Sequence, residues 1–358
     1  MTPFPRADYG ELRRYEPGRR PVALDLSDNT NLWGAHPAGL ERIRSATIDD
    51  VARYPELYAD GLRATVAEHF GIAPECVTTG AGSDDVIDCA FRAASGPGAC
   101  VAFAAPTFSM IEPFARMNGM SPRPVPWAEA LDDPGRLLRD DPSVVYVCRP
   151  NNPTGQMAPA GWVDDLIAAC ADAASPPLLV MDEAYADFAR ETLLPRAAEL
   201  TNVLVARTAS KAYGLAGLRC GFGVGSAEVV LEVDKARGPY KLGRLAAEAA
   251  AAALRDEDGW MAAVIAETLT NRDRLAAALA ERGLEPLESR ANFLLLAAPS
   301  GSAHEDTVAL RAAGVAVRPF TGIPEIGEGL RVTVGPWPMM ETFLAALDHV
   351  RSTVGPGR

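Results

Sequence analysis

The chain is 358 residues long, which suits about two domains, and 48% of it is hydrophobic, which supplies a sizeable core. Its formal charge of −13 excludes the basic footprint that general nucleic-acid binding needs, and with it a polybasic membrane contact. The six cysteines, at 76, 89, 100, 148, 170 and 220, form no Cys-x-x-Cys pair and are expected to be buried free thiols in a reducing cytoplasm.

The first residues, "MTPFPRADYGELRRYEPGRR", have no apolar stretch of the kind a secretory leader carries. Residues 1–34 are rich in Pro, Arg and Asn and read as an extended arm. Between 35 and 245, short apolar runs alternate with amphipathic stretches. The runs are "CVAFAAP" (100–106), "SVVYVCRP" (143–150), "PLLVMDEAY" (177–185), "NVLVARTAS" (202–210) and "CGFGVG" (220–225). Runs of this kind predict strands buried on both faces. Helices are predicted between them, as in "DDVIDCAFRAA" (84–94) and "GWVDDLIAACADAA" (161–174). This alternation is the α/β pattern with a mostly parallel sheet. From 246 the chain turns alanine-rich and helical, then gives strand candidates "NFLLLAA" (292–298) and "LRVTVG" (330–335) and a last helix near 340–353. Residues 246–358 are therefore expected to form a smaller α+β domain. No run approaches the ~18 apolar residues of a membrane span, and the four histidines show no metal-ligand spacing.

Polar residues follow the strand candidates directly. "VVYVCRP" runs into "NNPTG", "LLVM" into "DEAY", and "NVLVART" into "ASK". Ligands of open α/β sheets bind outside the carboxyl ends of the strands, so Asn152, Asp182, Tyr185, Ser210 and Lys211 are expected to converge. Singly, each has an ordinary role: Asn152 before Pro153 marks a turn, Asp182 caps a helix, Lys211 is a solvated loop residue. Together they match one chemistry. A lysine amine forms a Schiff base with an aldehyde cofactor, and pyridoxal phosphate pairs such a lysine with an acid opposite its ring nitrogen. Asp182 suits that nitrogen, and Asn152 and Tyr185 suit the ring's oxygen. "GAGSDDVIDCAF" (80–91) is a glycine turn opening a helix, so Gly82, Ser83 and Asp84 present backbone N–H groups to a phosphate. Ser210 and Arg219 supply a hydroxyl and a cation. Lys211 thus stands beside the phosphate and away from acids, able to lose its proton.

At these residues the chain resembles the fold-type I pyridoxal-phosphate aminotransferases, and most closely the histidinol-phosphate aminotransferase group. The resemblance also rests on "YEPG" (15–18), "LSDNTN" (26–31), "RYPE" (53–56), "PTFSM" (106–110), "RTASKAYGLAGLRCG" (207–221), "ANFLLL" (291–296) and "VAVRPF" (315–320). It implies a large cofactor-binding domain and a smaller C-terminal one. Lys211 becomes the Schiff-base lysine and acid/base, Asp182 the ring-nitrogen partner, Asn152 and Tyr185 the donors to the ring's oxygen, and Phe108 the stacking aromatic. Tyr54 becomes a tyrosine lent across a homodimer interface to the neighbour's phosphate. Tyr15, Asn29, Arg318 and Arg331 fall in the substrate site, Arg331 gripping a carboxylate. The oxo acid implied is 2-oxoglutarate.

Several residues depart from that pattern. Thr30 stands for a glutamate, Leu32 for a proline, Phe108 and Ile111 for tyrosines and Lys241 for an asparagine, with Arg244 added. The cofactor chemistry is untouched, but a different amino donor stays open, aromatic or from a specialised pathway. A decarboxylase of a phosphorylated amino acid carries nearly the same motifs, and a non-catalytic effector-binding domain is the alternative from another class.

Overall fold

The computed structural model describes residues 4, 9, 10, 12, 14, 21–96 and 98–354. Twelve strands are placed: β1 Leu24–Asp25, β2 Val77–Gly80, β3 Cys100–Ala105, β4 Ser121–Pro126, β5 Val144–Cys148, β6 Leu178–Asp182, β7 Val203–Thr208, β8 Gly221–Gly225, β9 Phe293–Ala297, β10 Val315–Ala316, β11 Arg318–Ile323 and β12 Gly327–Thr333. Seven of them build one sheet in the order β2-β8-β7-β6-β5-β3-β4. Neighbours from β7 to β4 pair in parallel, while β8 runs antiparallel to both β2 and β7. The sheet is mostly parallel, as expected, and the five predicted runs became β3 and β5 to β8.

Alternate residues of the central strands point into two different apolar layers. Val145 and Val147 enter one, and Val144, Tyr146 and Cys148 the other. Leu179 and Met181 face the first layer while Val180 faces the second. Helix Ser83–Ala94 covers the second layer with Val86, Ile87, Ala90 and Phe91. Both faces being covered explains why these strands read as unbroken apolar runs. Strand β4 was not anticipated, because Pro122, Pro124 and Pro126 argue against a strand. It lies at the sheet's edge, where a missing N–H on the outer side costs no ladder bond.

Strands β11, β12 and β9 form a second, three-stranded sheet, and a third apolar cluster takes in residues of β9, β12 and the last helix, Trp337–Val354. It also takes in Leu24 and Leu26, because β1 pairs in parallel with β10, Leu24 opposite Val315. The alanine-rich helix Arg244–Arg255 gives Ala247, Ala250, Ala251, Ala253 and Leu254 to the large-sheet core instead. The long helix Trp260–Ala280 spans the two, with Ile265 in the first cluster and Leu275 and Leu279 in the third. The change of composition at 246 thus falls inside the large-sheet core. No helix among the described residues is long and apolar enough to cross a membrane.

Candidate active site

The carboxyl ends of β2, β5, β6 and β7 open on one side of the large sheet, and the loops after them carry the chemistry. Asp182 is the last residue of β6. It is buried, its Oδ2 accepts the Tyr146 hydroxyl at 2.7 Å and its Oδ1 accepts the Ala184 N–H at 3.0 Å. Burial pushes its carboxyl up to about 6, and these two donors hold it from rising further.

Lys211 lies in the loop after β7. Its Nζ donates to the Asp28 carbonyl at 3.0 Å and stands 5.6 Å from the centre of the Tyr185 ring. Burial pushes its ammonium down to about 8, and the Arg331 charge adds to this. Asp84 and Asp28 oppose the shift, so acids are near, but among the described residues none forms a salt bridge with this amine. The chain's other lysines are Lys235 and Lys241. Both are salt-bridged, to Glu232 and to Asp85 at 2.7 Å.

Tyr185 is buried, edge-on to Phe293 at 5.2 Å, and its hydroxyl accepts the Asn29 amide at 3.1 Å. Asn29 is 0% exposed and has a left-handed backbone, φ 53°. Its N–H donates to Thr333 Oγ1 at 3.0 Å, and its carbonyl accepts Asn292 Nδ2 at 3.2 Å. One buried network therefore ties the C-terminal sheet to the tyrosine over which Lys211 lies. Arg331, on β12, donates to Asn152 Oδ1 and, at 2.7 Å, to the Ser27 carbonyl. Its guanidinium stands 5.3 Å from the rings of both Phe293 and Phe320. Arg318 on β11 is its direct register partner.

At the start of helix Ser83–Ala94 no side chain caps the first turn. Gly82 has φ 89°, and a Cβ there would meet Arg219 Nη2 at 2.5 Å. A Cβ on Gly221 would meet Gly82 C and Ser83 N at 2.3 Å. Only glycine lets these segments approach. Arg219 donates to Ser210 Oγ at 3.3 Å and to Asp84 Oδ2 at 3.2 Å, and Ser210 Oγ accepts from Thr208 Oγ1 at 2.9 Å. An uncapped helix start, a hydroxyl and a guanidinium form a ready anion cradle. The donor set fits pyridoxal phosphate: a cradle for the phosphate, a poised amine for the aldehyde, a buried carboxylate for the ring nitrogen.

Of the remaining expected residues, Phe108 lies half-buried in the loop after β3 and packs on the second apolar layer. Tyr54 is 79% exposed and stacks on Tyr240, ring centres 4.9 Å apart. Among the described residues its side chain makes no hydrogen bond or ring contact with those around Lys211. Arg244 leans on Asp50 at 3.7 Å and the Tyr54 carbonyl at 3.3 Å. Tyr15 lies outside the described residues. Sequence reasoning missed Tyr146, Asn292 and Thr333. Tyr146 stands in the apolar run of β5 on the face that Asp182 shares, where nothing in the sequence sets it apart.

A family model described as aminotransferase class I and II matches residues 21–347. An aromatic amino acid aminotransferase of Streptomyces avermitilis is 34% identical, covering 98% of both chains. A histidinol-phosphate aminotransferase of Nostoc sp. is 32% identical, covering 97% of this chain and 98% of its own. The crystal structure of histidinol-phosphate aminotransferase from Sinorhizobium meliloti, in complex with pyridoxal 5'-phosphate, superimposes with a TM-score of 0.86 at 27% identity, covering 98% of each. With that match and a site that fits the cofactor, the chain belongs to the class I and II aminotransferases and is a pyridoxal-phosphate-dependent enzyme.

Proposed function

We propose that this aminotransferase takes its amino group from a donor carrying a phosphate, histidinol phosphate or a close analogue, and passes it to 2-oxoglutarate. The observation that carries this is the pairing of Arg318 with Arg331 across β11 and β12. Directly opposed residues of an antiparallel pair leave the same face, and like charges there repel. An anion between two guanidinium forks is gripped bidentately. Lys241 pairs with Asp85 and Arg244 with Asp50.

Pyridoxal phosphate, when bound, supplies an aldehyde that joins to amines and a protonated ring that draws electrons from the substrate's α-carbon. The chain's residues do the rest. Gly82, Ser83, Asp84, Ser210 and Arg219 bind the phosphate. Asp182 keeps a proton on the ring nitrogen. Arg331 donates to Asn152 Oδ1, which turns the Asn152 amide nitrogen outward as a donor to the ring's oxygen, and Tyr185 donates beside it. Lys211 Nζ takes the α-proton and returns it, a transfer worth roughly 10²–10⁴-fold in rate. Its pKa, lowered to about 8, leaves a fraction of it neutral near physiological pH. Arg331 serves both halves of the reaction, gripping the carboxylate of 2-oxoglutarate and glutamate in one and the donor's phosphate in the other.

A second reading is an aromatic donor, favoured by Phe293 and Phe320 flanking Arg331. We further propose a homodimer, supported by the exposed Ile48, Val51, Tyr54, Leu57 and Tyr240, and a cytoplasmic setting, supported by six free thiols.

A donor screen that follows glutamate formed from 2-oxoglutarate tests the donor. Losing one partner of a buried charge contact costs roughly 2–5 kcal/mol. Arg331→Ala is expected to lower kcat/KM by about 30-fold or more with every carboxylate substrate. Arg318→Ala is expected to do so with histidinol phosphate and to spare aromatic amino acids. A wild type that ignores histidinol phosphate and turns over aromatic amino acids would replace the first reading with the second.

A further inference from the structure

We infer that Tyr146 is a positioning residue for the cofactor: its hydroxyl, 2.7 Å from Asp182 Oδ2, keeps that carboxylate ionised and aimed at the ring nitrogen. This role presupposes that Asp182 is the ring-nitrogen partner proposed above.

Tyr146 sits at the middle of β5, fully buried. Its ring is held edge-on against Phe91, 6.5 Å between centres at 88°. Strand β6 lies alongside in parallel, with Cys148 opposite Asp182, so the phenol two residues back reaches diagonally to the carboxylate. Tyrosine is an odd choice for a buried sheet position unless its hydroxyl has a partner, and the partner here is Asp182. At an ionised carboxylate the phenol can only donate. Burial, with the Asp182 charge second, raises the phenol's own pKa well above its ordinary value, so it stays a donor at every working pH.

The surroundings of Asp182 make that donor matter. Burial raises its pKa, and the nearby acids Asp84, from the phosphate helix, and Glu183, its own neighbour, add to the rise. Cys148 and Tyr185 face it as well, and burial raises the pKa of each, which keeps both neutral. Against this stand the Tyr146 hydroxyl first and the Ala184 N–H second. Each carboxylate oxygen thus receives one donor from the protein and keeps capacity for one more, the ring N–H. Removing the Tyr146 hydroxyl leaves one oxygen without its donor and moves the carboxyl further toward its neutral form. A neutral carboxyl no longer attracts a protonated ring.

The test is Tyr146→Phe, which keeps the ring and removes one oxygen. The apoenzyme's dissociation constant for pyridoxal phosphate is measured from pH 5 to 9, for the wild type and the variant. Their ratio cancels the titrations of the cofactor itself. Near pH 8.5 the ratio is expected to stay within about threefold, since Asp182 is ionised in both. As pH falls the ratio is expected to rise to about tenfold or more, with the acid limb of the variant about one pH unit above that of the wild type, the size expected for one hydrogen bond to a charged group. Melting of both apoenzymes confirms that they are folded. In an Asp182→Asn background the same change at Tyr146 is expected to have no pH-dependent effect. A ratio that is flat across pH would show that Tyr146 only fills the core, and would overturn the inference while leaving Asp182's role standing. If Asp182→Asn alone leaves the wild-type binding profile unchanged, Asp182 is not the ring partner and both proposals fall together.

Discussion

Lys211 is an amine placed where an ammonium is uncomfortable. Its pKa near 8, against 10.5 in the unfolded chain, means that the unfolded state binds more protons between those values. Stability of the apoenzyme from this group therefore rises with pH through that window, and the penalty is complete below about pH 8. Lys211→Met is expected to stabilise the apoenzyme at pH 7 by roughly 3 kcal/mol, with the gain fading toward pH 10. Denaturant unfolding at the two pH values measures it, and an equal gain at both would show that the effect is packing and not charge. Lys211 and Asp182 were legible in the sequence because each chemical step demands one residue type at a strand end. Tyr146 and Thr333 were not, because a tyrosine in an apolar run and a threonine in a strand both read as ordinary β-formers. Asn29 was read as a substrate ligand from resemblance. Its full burial and its bond to the Tyr185 hydroxyl support a place behind that tyrosine.

Among the elements, helix Ser83–Ala94 and strand β8 set the proposed phosphate cradle between them. The closeness of Gly221 to Gly82 and Ser83 fixes where the helix starts. Gly221→Ala puts a methyl into backbone, and overpacking of this kind costs roughly 1–3 kcal/mol. Affinity for pyridoxal phosphate is expected to fall by about 10- to 100-fold, read by titrating the apoenzyme. Gly161→Ala, where a Cβ meets nothing within 4 Å, is the control and is expected to change nothing. Equal affinities in the two variants would remove the cradle from that glycine contact. The strands around the site were readable because burial on both faces leaves an unbroken apolar signature. Strand β4 was hidden by its prolines, and β1 by its length of two residues, too short for any period. The alanine-rich helix Arg244–Arg255 looked like the opening of a second domain because composition changes there, yet small side chains are what let it pack closely on helices Pro37–Arg44 and Asp60–Phe70.

At the scale of the molecule, the site draws on distant parts of one chain, from Asn29 to Thr333, and its remaining exposed feature points outward. Ile48, Val51 and Tyr54 are 86%, 74% and 79% exposed within one short stretch, an apolar patch of the kind that marks an interface. If a second copy covers it, Ile48→Glu with Val51→Glu is expected to yield monomers by sedimentation, with weakened cofactor binding because Tyr54 no longer reaches the neighbour. A wild type that is a fully active monomer at assay concentration would contradict this. The account as a whole turns on Lys211, and three lysines, Lys211, Lys235 and Lys241, make it unusually open to a direct measurement. Borohydride reduction of the yellow holoenzyme, followed by peptide mass spectrometry, reports which lysine carries the cofactor. The pyridoxyl phosphate mass is predicted on the Lys211 peptide alone, and its appearance on Lys235 or Lys241, or on no lysine, would contradict the account.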